Sequence, residues 1–193
     1  MQKARREGSA LSSPRAWLRF LAVIAAGTAA DLASKAAALH ALRPAGAVSD
    51  AEPNLVITNY LPFIDLVWQR NHGAVFGSWT NQTLWLEIAT VLALGLLLWL
   101  FADSRRSQWR LQLCLALVVA GALGNLYDRI MFSYVRDFIR FNIESGWVRW
   151  GAEGNRLLWP YVFNVADVFI TIGVAGLFLI WLASGFRPRP EKE

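Results

Sequence analysis

The chain has 193 residues, of which 55% are hydrophobic and 17% are charged, and its mean hydropathy is +0.35. This composition excludes an ordinary soluble domain, in which charged residues alone make up about a quarter of the chain. The net charge of +5 does not indicate a nucleic-acid partner, because the basic residues are neither gathered on one element nor interleaved with an aromatic stacking platform. The composition therefore predicts a membrane protein.

Four apolar segments, taken in chain order, are each long enough to cross a membrane. A helix needs about 20 residues to span a hydrocarbon core of roughly 30 Å. The four predicted spans are 17–39, 84–101, 111–131 and 165–183. An even number of spans places both termini on the same side of the membrane.

The distribution of lysine and arginine predicts which side that is. More than half of the 19 basic residues lie in the terminal tails, the start of the first span and the short link 102–110. The positive-inside rule therefore places both termini in the cytoplasm and the loops 40–83 and 132–164 outside. We expect a cytoplasmic basic tail, a four-span membrane domain and a second cytoplasmic tail, at residues 1–16, 17–183 and 184–193.

The first outer loop contains a stretch rich in β-branched and aromatic residues, from Leu55 to Trp68. Enrichment of this kind between turn residues predicts short strands rather than a further span. The sequence therefore predicts an all-α membrane protein with four transmembrane helices and a small extracytoplasmic β-sheet, or cradle, on the membrane surface.

Small and polar residues form stripes inside the first and third spans. In the first span, Asp31 and Lys35 are four residues apart with the acid before the base, which is the favourable order for an ion pair on a helix. The stripe in the third span has similar spacing and consists of Gly121, Gly124, Asn125, Asp128 and Arg129. Carboxylates at membrane depth are costly and often mark a site. The two stripes could form a polar cavity where they meet, or they could be structural ion pairs and amide clamps between helices.

The chain offers few residues for metal or cofactor chemistry. Its single cysteine, Cys114, lies in an apolar run, and its two histidines, His40 and His72, occur in no zinc-binding pattern. Ser34 and Lys35 are adjacent on a helix and point apart, which argues against a serine–lysine catalytic pair. We expect neither a metal nor a cofactor, and the chemistry that remains is that of carboxylates.

Five short motifs surround the acidic residues and occur in a fixed order. They are Asp31-Leu32-Ala33-Ser34-Lys35, Asn71-His72-Gly73-Ala74-Val75-Phe76-Gly77, Gly121-Ala122-Leu123-Gly124-Asn125-Leu126-Tyr127-Asp128-Arg129-Ile130, Val135-Arg136-Asp137-Phe138-Ile139 and Phe163-Asn164-Val165-Ala166-Asp167. Together they resemble the motif set of the lipoprotein signal peptidases, the bacterial signal peptidase II family. The similarity covers about residues 17–183, and the ordered set is far more specific than any single motif.

The resemblance implies a membrane-embedded aspartic endopeptidase that removes the signal peptide from diacylglyceryl-modified prolipoproteins just before the lipidated cysteine. The catalytic pair of the family matches Asp137 and Asp167 in this chain. The substrate-site residues of the family match Asp31, Lys35, Asn71, Gly73, Asn125, Asp128, Arg129 and Asn164.

The chemistry of carboxylates supports the same pair. Peptide hydrolysis by two acids needs one ionised group to deprotonate a water and one protonated group to polarise the scissile amide, and two close carboxyl groups that share a proton supply both. Asp128 is the competing candidate, but its helical setting and its neighbour Arg129 favour a permanently ionised role. The sequence does not determine which acid carries the proton.

The expected partners are a prolipoprotein substrate and membrane lipids, and we expect a monomer with no nucleic-acid partner. The resemblance implies a multi-pass protein of the bacterial inner membrane with its active site at the outer face. The alternative is a small proton-coupled carrier or channel subunit that uses intramembrane aspartate and lysine as a relay. Such relays place their acids near the midplane, whereas these acids lie toward one face.

Two features depart from the family pattern. The segment Glu144–Arg156 lengthens the loop between Asp137 and Asp167, and we expect a longer surface loop or flap there. Arg136 stands where an apolar residue is common, and we expect it to meet lipid phosphate.

Overall fold

The computed structural model describes residues 8–42, 56–73, 83–144 and 157–185. The predicted flap lies outside these residues except for Glu144, as do residues 1–7 of the basic tail and 186–193 of the second tail. Four helices are long and apolar enough to cross a membrane. They are α1 (Pro14–Leu42), α2 (Thr83–Asp103), α3 (Trp109–Phe132) and α4 (Val165–Gly185).

The start of α1 shows how local sequence sets a helix boundary. The Ser13 hydroxyl accepts a 3.3 Å hydrogen bond from the backbone N–H of Ala16, and so satisfies one of the N–H groups that a helix start leaves unpaired. Pro14 follows at the first helical position, where its missing N–H is not needed.

Helix α3 is the central helix and packs against α1, α2 and α4. Its small residues permit close approach: a Cβ added at Gly124 would collide with the Asp31 carboxylate of α1, and one added at Gly121 would collide with the Ala166 carbonyl of α4. Small residues are the usual means of bringing helices together in lipid, where no hydrophobic force drives association.

A four-stranded antiparallel sheet lies at the end of the bundle where α1 and α3 finish and α4 begins. Its strands, in spatial order, are β1 (Val56–Leu61), β2 (Ile64–Asn71), β3 (Val135–Phe141) and β4 (Val162–Phe163). The prediction of short strands and a small sheet is therefore confirmed. β3 was not predicted as a strand, although it carries one of the acidic motifs.

The connection from α3 to β3 places that motif against the bundle. Helix α3 is capped at its C-terminal end by Ser133, which has a left-handed backbone (φ 65°) and whose N–H donates to the Arg129 carbonyl at 2.8 Å. The chain then turns at once into β3. A buried cluster fixes the sheet to the end of α1 and consists of Ala38, Leu42, Leu66, Trp68 and Phe138.

A second apolar cluster closes the opposite end of the bundle. Phe20 of α1 and Phe101 of α2 stack with ring centroids 3.9 Å apart, and both are fully buried beside Leu115 of α3. The acidic motifs of β3 and of the start of α4 lie at the sheet end, away from this cluster.

Candidate active site

Asp137 is held by two asparagine side chains. The Asn164 amide donates to Oδ1 of Asp137 at 2.6 Å, and the Asn71 amide donates to Oδ2 at 2.9 Å. Asp137 itself is 1% exposed. Both carboxyl oxygens are therefore oriented from outside β3, by residues that are 66 and 27 positions distant in the sequence.

The local sequence explains why Asn71 can reach Asp137. The Oδ1 atom of Asn71 accepts a 2.9 Å hydrogen bond from the N–H of Gly73, which is the local turn that asparagine favours. Gly73 has φ +85°, a conformation that favours glycine, and a Cβ there would collide with Leu86. The turn thus fixes the amide of Asn71 with its N–H₂ toward Asp137.

Asp167 sits in the first turn of α4 and is fixed by a reciprocal cap with Asn164. The Asn164 side chain accepts from the Asp167 N–H at 3.1 Å, and the Asp167 carboxylate accepts from the Asn164 N–H at 3.0 Å. This is the geometry of a capping box, here with Asn and Asp three positions apart. A carboxylate in the first turn is also favoured by the helix dipole.

An amide frame joins the two acids. Asn125 of α3 donates to Asp167 at 2.9 Å and accepts from the Asn164 amide at 3.2 Å. Asn164 therefore contacts both Asp137 and Asp167. The structure brings the two predicted catalytic residues together on one frame, with Asp137 buried and Asp167 half-exposed.

The surroundings of Asp137 raise the pKa of its carboxyl group. Burial raises the pKa of Asp137 from 3.8 to about 7, with the charge of Asp167 as the second cause, while the amides of Asn71 and Asn164 and the charge of Lys35 act in the opposite direction. Near neutral pH this carboxyl group is therefore close to half protonated. Such a group can hold and release a proton where an ordinary aspartate cannot.

Lys35 is the centre of a second, fully buried network. Its ammonium lies 2.7 Å from Asp31, 3.1 Å from Asp128 and 3.1 Å from the Asn125 carbonyl oxygen. Asp31 also accepts from the N–H of Ala166 at 2.9 Å and so caps the start of α4. The two predicted stripes do meet, but Asp31, Lys35 and Asp128 are 0% exposed and pack directly on one another.

Asp128 pairs with Arg136 rather than with Arg129, its neighbour in the sequence. The Arg136 guanidinium donates to Asp128 at 2.6 and 3.1 Å, and the Arg136 backbone N–H donates at 3.0 Å. The guanidinium carbon of Arg136 also lies 4.5 Å from the centroid of the Phe132 ring. The expectation that Arg136 meets lipid phosphate is therefore wrong, because this side chain is 10% exposed and pairs inside the protein.

Arg129 is the predicted site residue that stays uncommitted. Its side chain is half-buried and makes no ion pair within the described parts of the chain. Among the acids that attract its charge, Asp167 has the largest effect, followed by Asp137, Glu87 and Asp128. The charge of Arg129 is therefore not neutralised by a direct ion pair with either acid of the site within the described residues.

Sequence reasoning missed the pairing of Asp128 with Arg136 and the contact of Asp31 with the start of α4. A basic residue inside a buried motif was a weak signal for the pairing of Asp128 with Arg136. The contact of Asp31 with the start of α4 spans 135 positions and had no signal in the sequence.

Within the described residues, no group of three or more His, Cys, Asp or Glu residues could hold a metal ion.

Comparison with known proteins adds independent information. A family model for signal peptidase II matches residues 23–183. The lipoprotein signal peptidase of Bartonella quintana (strain Toulouse) is 37% identical over 118 residues, which cover 61% of this chain and 64% of that protein. That of Bartonella tribocorum is 35% identical over 134 residues, which cover 69% and 74%. In three dimensions, a bacterial membrane enzyme solved by the in meso method at 2.3 Å resolution has the same fold, with a TM-score of 0.66, 24% identity and coverage of 91% and 94%.

Proposed function

The chain belongs to the signal peptidase II family, and we propose that it is a membrane-embedded aspartic endopeptidase of prolipoproteins. Its substrates carry a diacylglyceryl-modified cysteine, and cleavage occurs just before that residue. The observation that carries the proposal is the contact of one asparagine, Asn164, with both Asp137 and Asp167.

The two acids divide the work of hydrolysis. Asp167, ionised, takes a proton from a water molecule, and the oxygen of that water attacks the scissile carbonyl carbon. Asp137, protonated below about pH 7, gives its proton to the carbonyl oxygen. When the tetrahedral intermediate collapses, the leaving amine takes a proton from Asp167 and Asp137 regains its own from the intermediate.

The other predicted site residues support this pair in two ways. Asn71, Asn125 and Asn164 orient the carboxyl groups by hydrogen bonds, and Gly73 permits the turn that holds Asn71. Arg129 contacts the substrate near the reacting bond. The buried network of Asp31, Lys35 and Asp128 fixes the helices on which these groups lie.

The proposed setting is the inner membrane, with both termini in the cytoplasm and the sheet and dyad at the outer face. Four helices able to cross a membrane and the sheet at one end of the bundle fit this arrangement. The lipid-modified cysteine of the substrate would then approach through the bilayer, while water reaches the half-exposed Asp167 from the surface. The full set of catalytic groups lies in one chain, so a monomer is sufficient.

The relay of a proton-coupled carrier fits this geometry less well. Its candidate groups, Asp31, Lys35 and Asp128, are buried, and the two acids pair with Lys35 and Arg136 at 2.6–3.1 Å. A relay needs acids that exchange protons with water on both sides. In the described structure, these pairs engage Asp31 and Asp128 with Lys35 and Arg136 instead.

The test is a gel-shift assay of a lipidated prolipoprotein with purified Asp137→Asn and Asp167→Asn. Each variant should lose at least about a hundredfold in rate, because each lacks one partner in the proton transfer. Asp103→Asn, at the exposed end of α2, is the matched control and should retain the native rate. Native-rate processing by either dyad variant would falsify the proposed mechanism.

A further inference from the structure

The ends of α1 and α3 farthest from the dyad enclose an apolar cavity that the proposed peptidase reaction does not use. It has a volume of about 270 Å³ and lies between the two helices. Its apolar walls include Phe20, Val23, Leu113 and Ala116. The cavity opens toward the outer surface of the bundle, because Ala22 and Leu113, which line it, are exposed.

A second, basic cavity adjoins the first. Its volume is about 540 Å³, and Arg15, Arg19 and Arg106 line it together with Ser13 and Leu18. Arg19 lines both cavities, so the apolar and the basic compartments meet at this residue. The three arginines come from the start of α1 and from the link between α2 and α3.

These arginines have no counter-charge among the residues that the structure describes. In the ranges that the structure describes, none of the guanidinium groups of Arg15, Arg19 and Arg106 lies within ion-pair distance of an acid. All three side chains are exposed. Three cations without an ion-pair partner in the described ranges, at the end of an apolar groove, are complementary to the negative charge of a phosphate group.

The length of the two cavities along α1 matches the length of one lipid molecule. From Arg15 to Val23 the helix rises about 12 Å, at roughly 1.5 Å per residue, which is most of one leaflet of a hydrocarbon core of roughly 30 Å. Trp109 lies at the rim, where tryptophan commonly marks the headgroup level.

We propose that these two compartments, the lipid groove, bind one anionic phospholipid of the bilayer, with an acyl chain in the apolar cavity and the phosphate on the three arginines. Under the proposed topology this lipid belongs to the cytoplasmic leaflet, on the side opposite the dyad. The lipid groove is thus separate from the substrate site, and its occupancy does not depend on whether Asp137 and Asp167 are catalytic.

The test measures retention of phosphatidylglycerol and phosphatidylcholine by the purified full-length protein, by native mass spectrometry in a neutral detergent. The wild type should retain phosphatidylglycerol in preference. Arg19→Gln combined with Arg106→Gln should weaken this preference about fivefold for each residue, since a basic residue near a membrane surface contributes about that much to binding of anionic lipid. Arg105→Gln removes the same charge next to Arg106 without lining either cavity, and should leave the preference unchanged.

A second variant tests the chain-binding part. Ala22→Phe places a ring at the exposed rim of the apolar cavity and should lower phosphatidylglycerol retention while all three arginines remain. Equal retention of the two lipids by the wild type, or an equal loss in Arg105→Gln, would overturn the proposal. Unchanged retention in Ala22→Phe, or full displacement of the lipid by millimolar inorganic phosphate, would also overturn it, because the arginines would then be an anion site without a lipid.

Discussion

At the scale of single residues, the site depends on asparagines that each serve two neighbours. Asn164 caps α4 through its Oδ1 atom and orients Asp137 through its amide nitrogen. Asn71 closes a turn with Gly73 and reaches Asp137 with its remaining donors. Each amide is thus fixed by backbone, which lets it fix a carboxyl group in turn.

The protonation of Asp137 makes a prediction about stability. The folded protein keeps this proton to about pH 7, whereas the unfolded chain releases it near pH 3.8, so the folded state loses stability as the pH rises between these values. Asp137→Asn cannot ionise. Relative to the wild type it should therefore gain up to about 4 kcal/mol between pH 4 and pH 8, at roughly 1.36 kcal/mol per pKa unit.

Thermal unfolding of both proteins in detergent across this pH range measures the difference. Glu144→Gln, which changes an exposed acid, should follow the wild type. A stability difference between Asp137→Asn and the wild type that is the same at pH 4 and pH 8 would contradict the raised pKa of Asp137.

The pairing of Arg136 with Asp128 makes a second prediction. Arg136→Leu leaves two buried acids, Asp31 and Asp128, with Lys35 alone, and should destabilise the fold by about 3 kcal/mol, the lower end of the range for a broken buried pair. Adding Asp128→Asn restores a balanced charge and should recover a large part of the loss. Unfolding temperatures of the two variants compare them, and a double variant less stable than Arg136→Leu would argue against a charge-balance role.

At the scale of elements, the site requires two helix termini to approach very closely. The start of α4 lies against α3 at Gly121 and against α1 through Asp31, whose carboxylate accepts from the Ala166 N–H. The end of α3 turns at Ser133 into β3, which returns Asp137 to the same place. The dyad is thus assembled where one helix begins and another ends.

Glycine substitutions test this close approach. Gly121→Ala should destabilise the protein by about 2 kcal/mol, because its Cβ would meet the Ala166 carbonyl, a backbone atom, and the Ile170 Cγ1 atom at 2.8 Å. Gly95→Ala on α2, where nothing lies within 4 Å of an added Cβ, should be neutral or stabilising by up to about 1 kcal/mol. Thermal unfolding distinguishes them, and equal effects of the two changes would mean that α3 and α4 do not pack as closely as described.

At the scale of the whole molecule, the two ends of the bundle differ in chemistry. One end carries the sheet and the polar frame around Asp137 and Asp167, and the other carries an apolar cluster around Phe20 and Phe101 and the three arginines of the lipid groove. This asymmetry fits the proposed orientation, with basic residues toward the cytoplasm.

Orientation is measurable by cysteine labelling. With Cys114 replaced by alanine, Glu144→Cys near the sheet should react with a membrane-impermeant maleimide on intact cells. Ser107→Cys in the link between α2 and α3 is equally exposed and should react only after the membrane is permeabilised. The reverse pattern would invert the proposed topology and place the dyad on the cytoplasmic side.

Features that depend on near neighbours in the chain could be predicted from the sequence alone. The four apolar lengths predict four helices because a membrane span is a local property, and the Leu55–Trp68 stretch predicts strands for the same reason. The Asn164–Asp167 pair is part of a motif whose geometry, a helix cap, is also local. Resemblance to a family then assigned Asp137 and Asp167 a shared role, which stays a prediction until the variants are assayed.

The pairing of the charges could not be predicted in this way, because it depends on tertiary packing. Lys35 has two acids in reach, and Asp128 has both Lys35 and Arg136, although Arg129 is its neighbour in sequence. Spacing along the chain cannot select among these partners, because the choice depends on how helices and strands pack across gaps of up to 135 residues. The burial that raises the pKa of Asp137 arises in the same way, since it requires the end of β2 and the start of α4 to converge on a carboxyl group of β3.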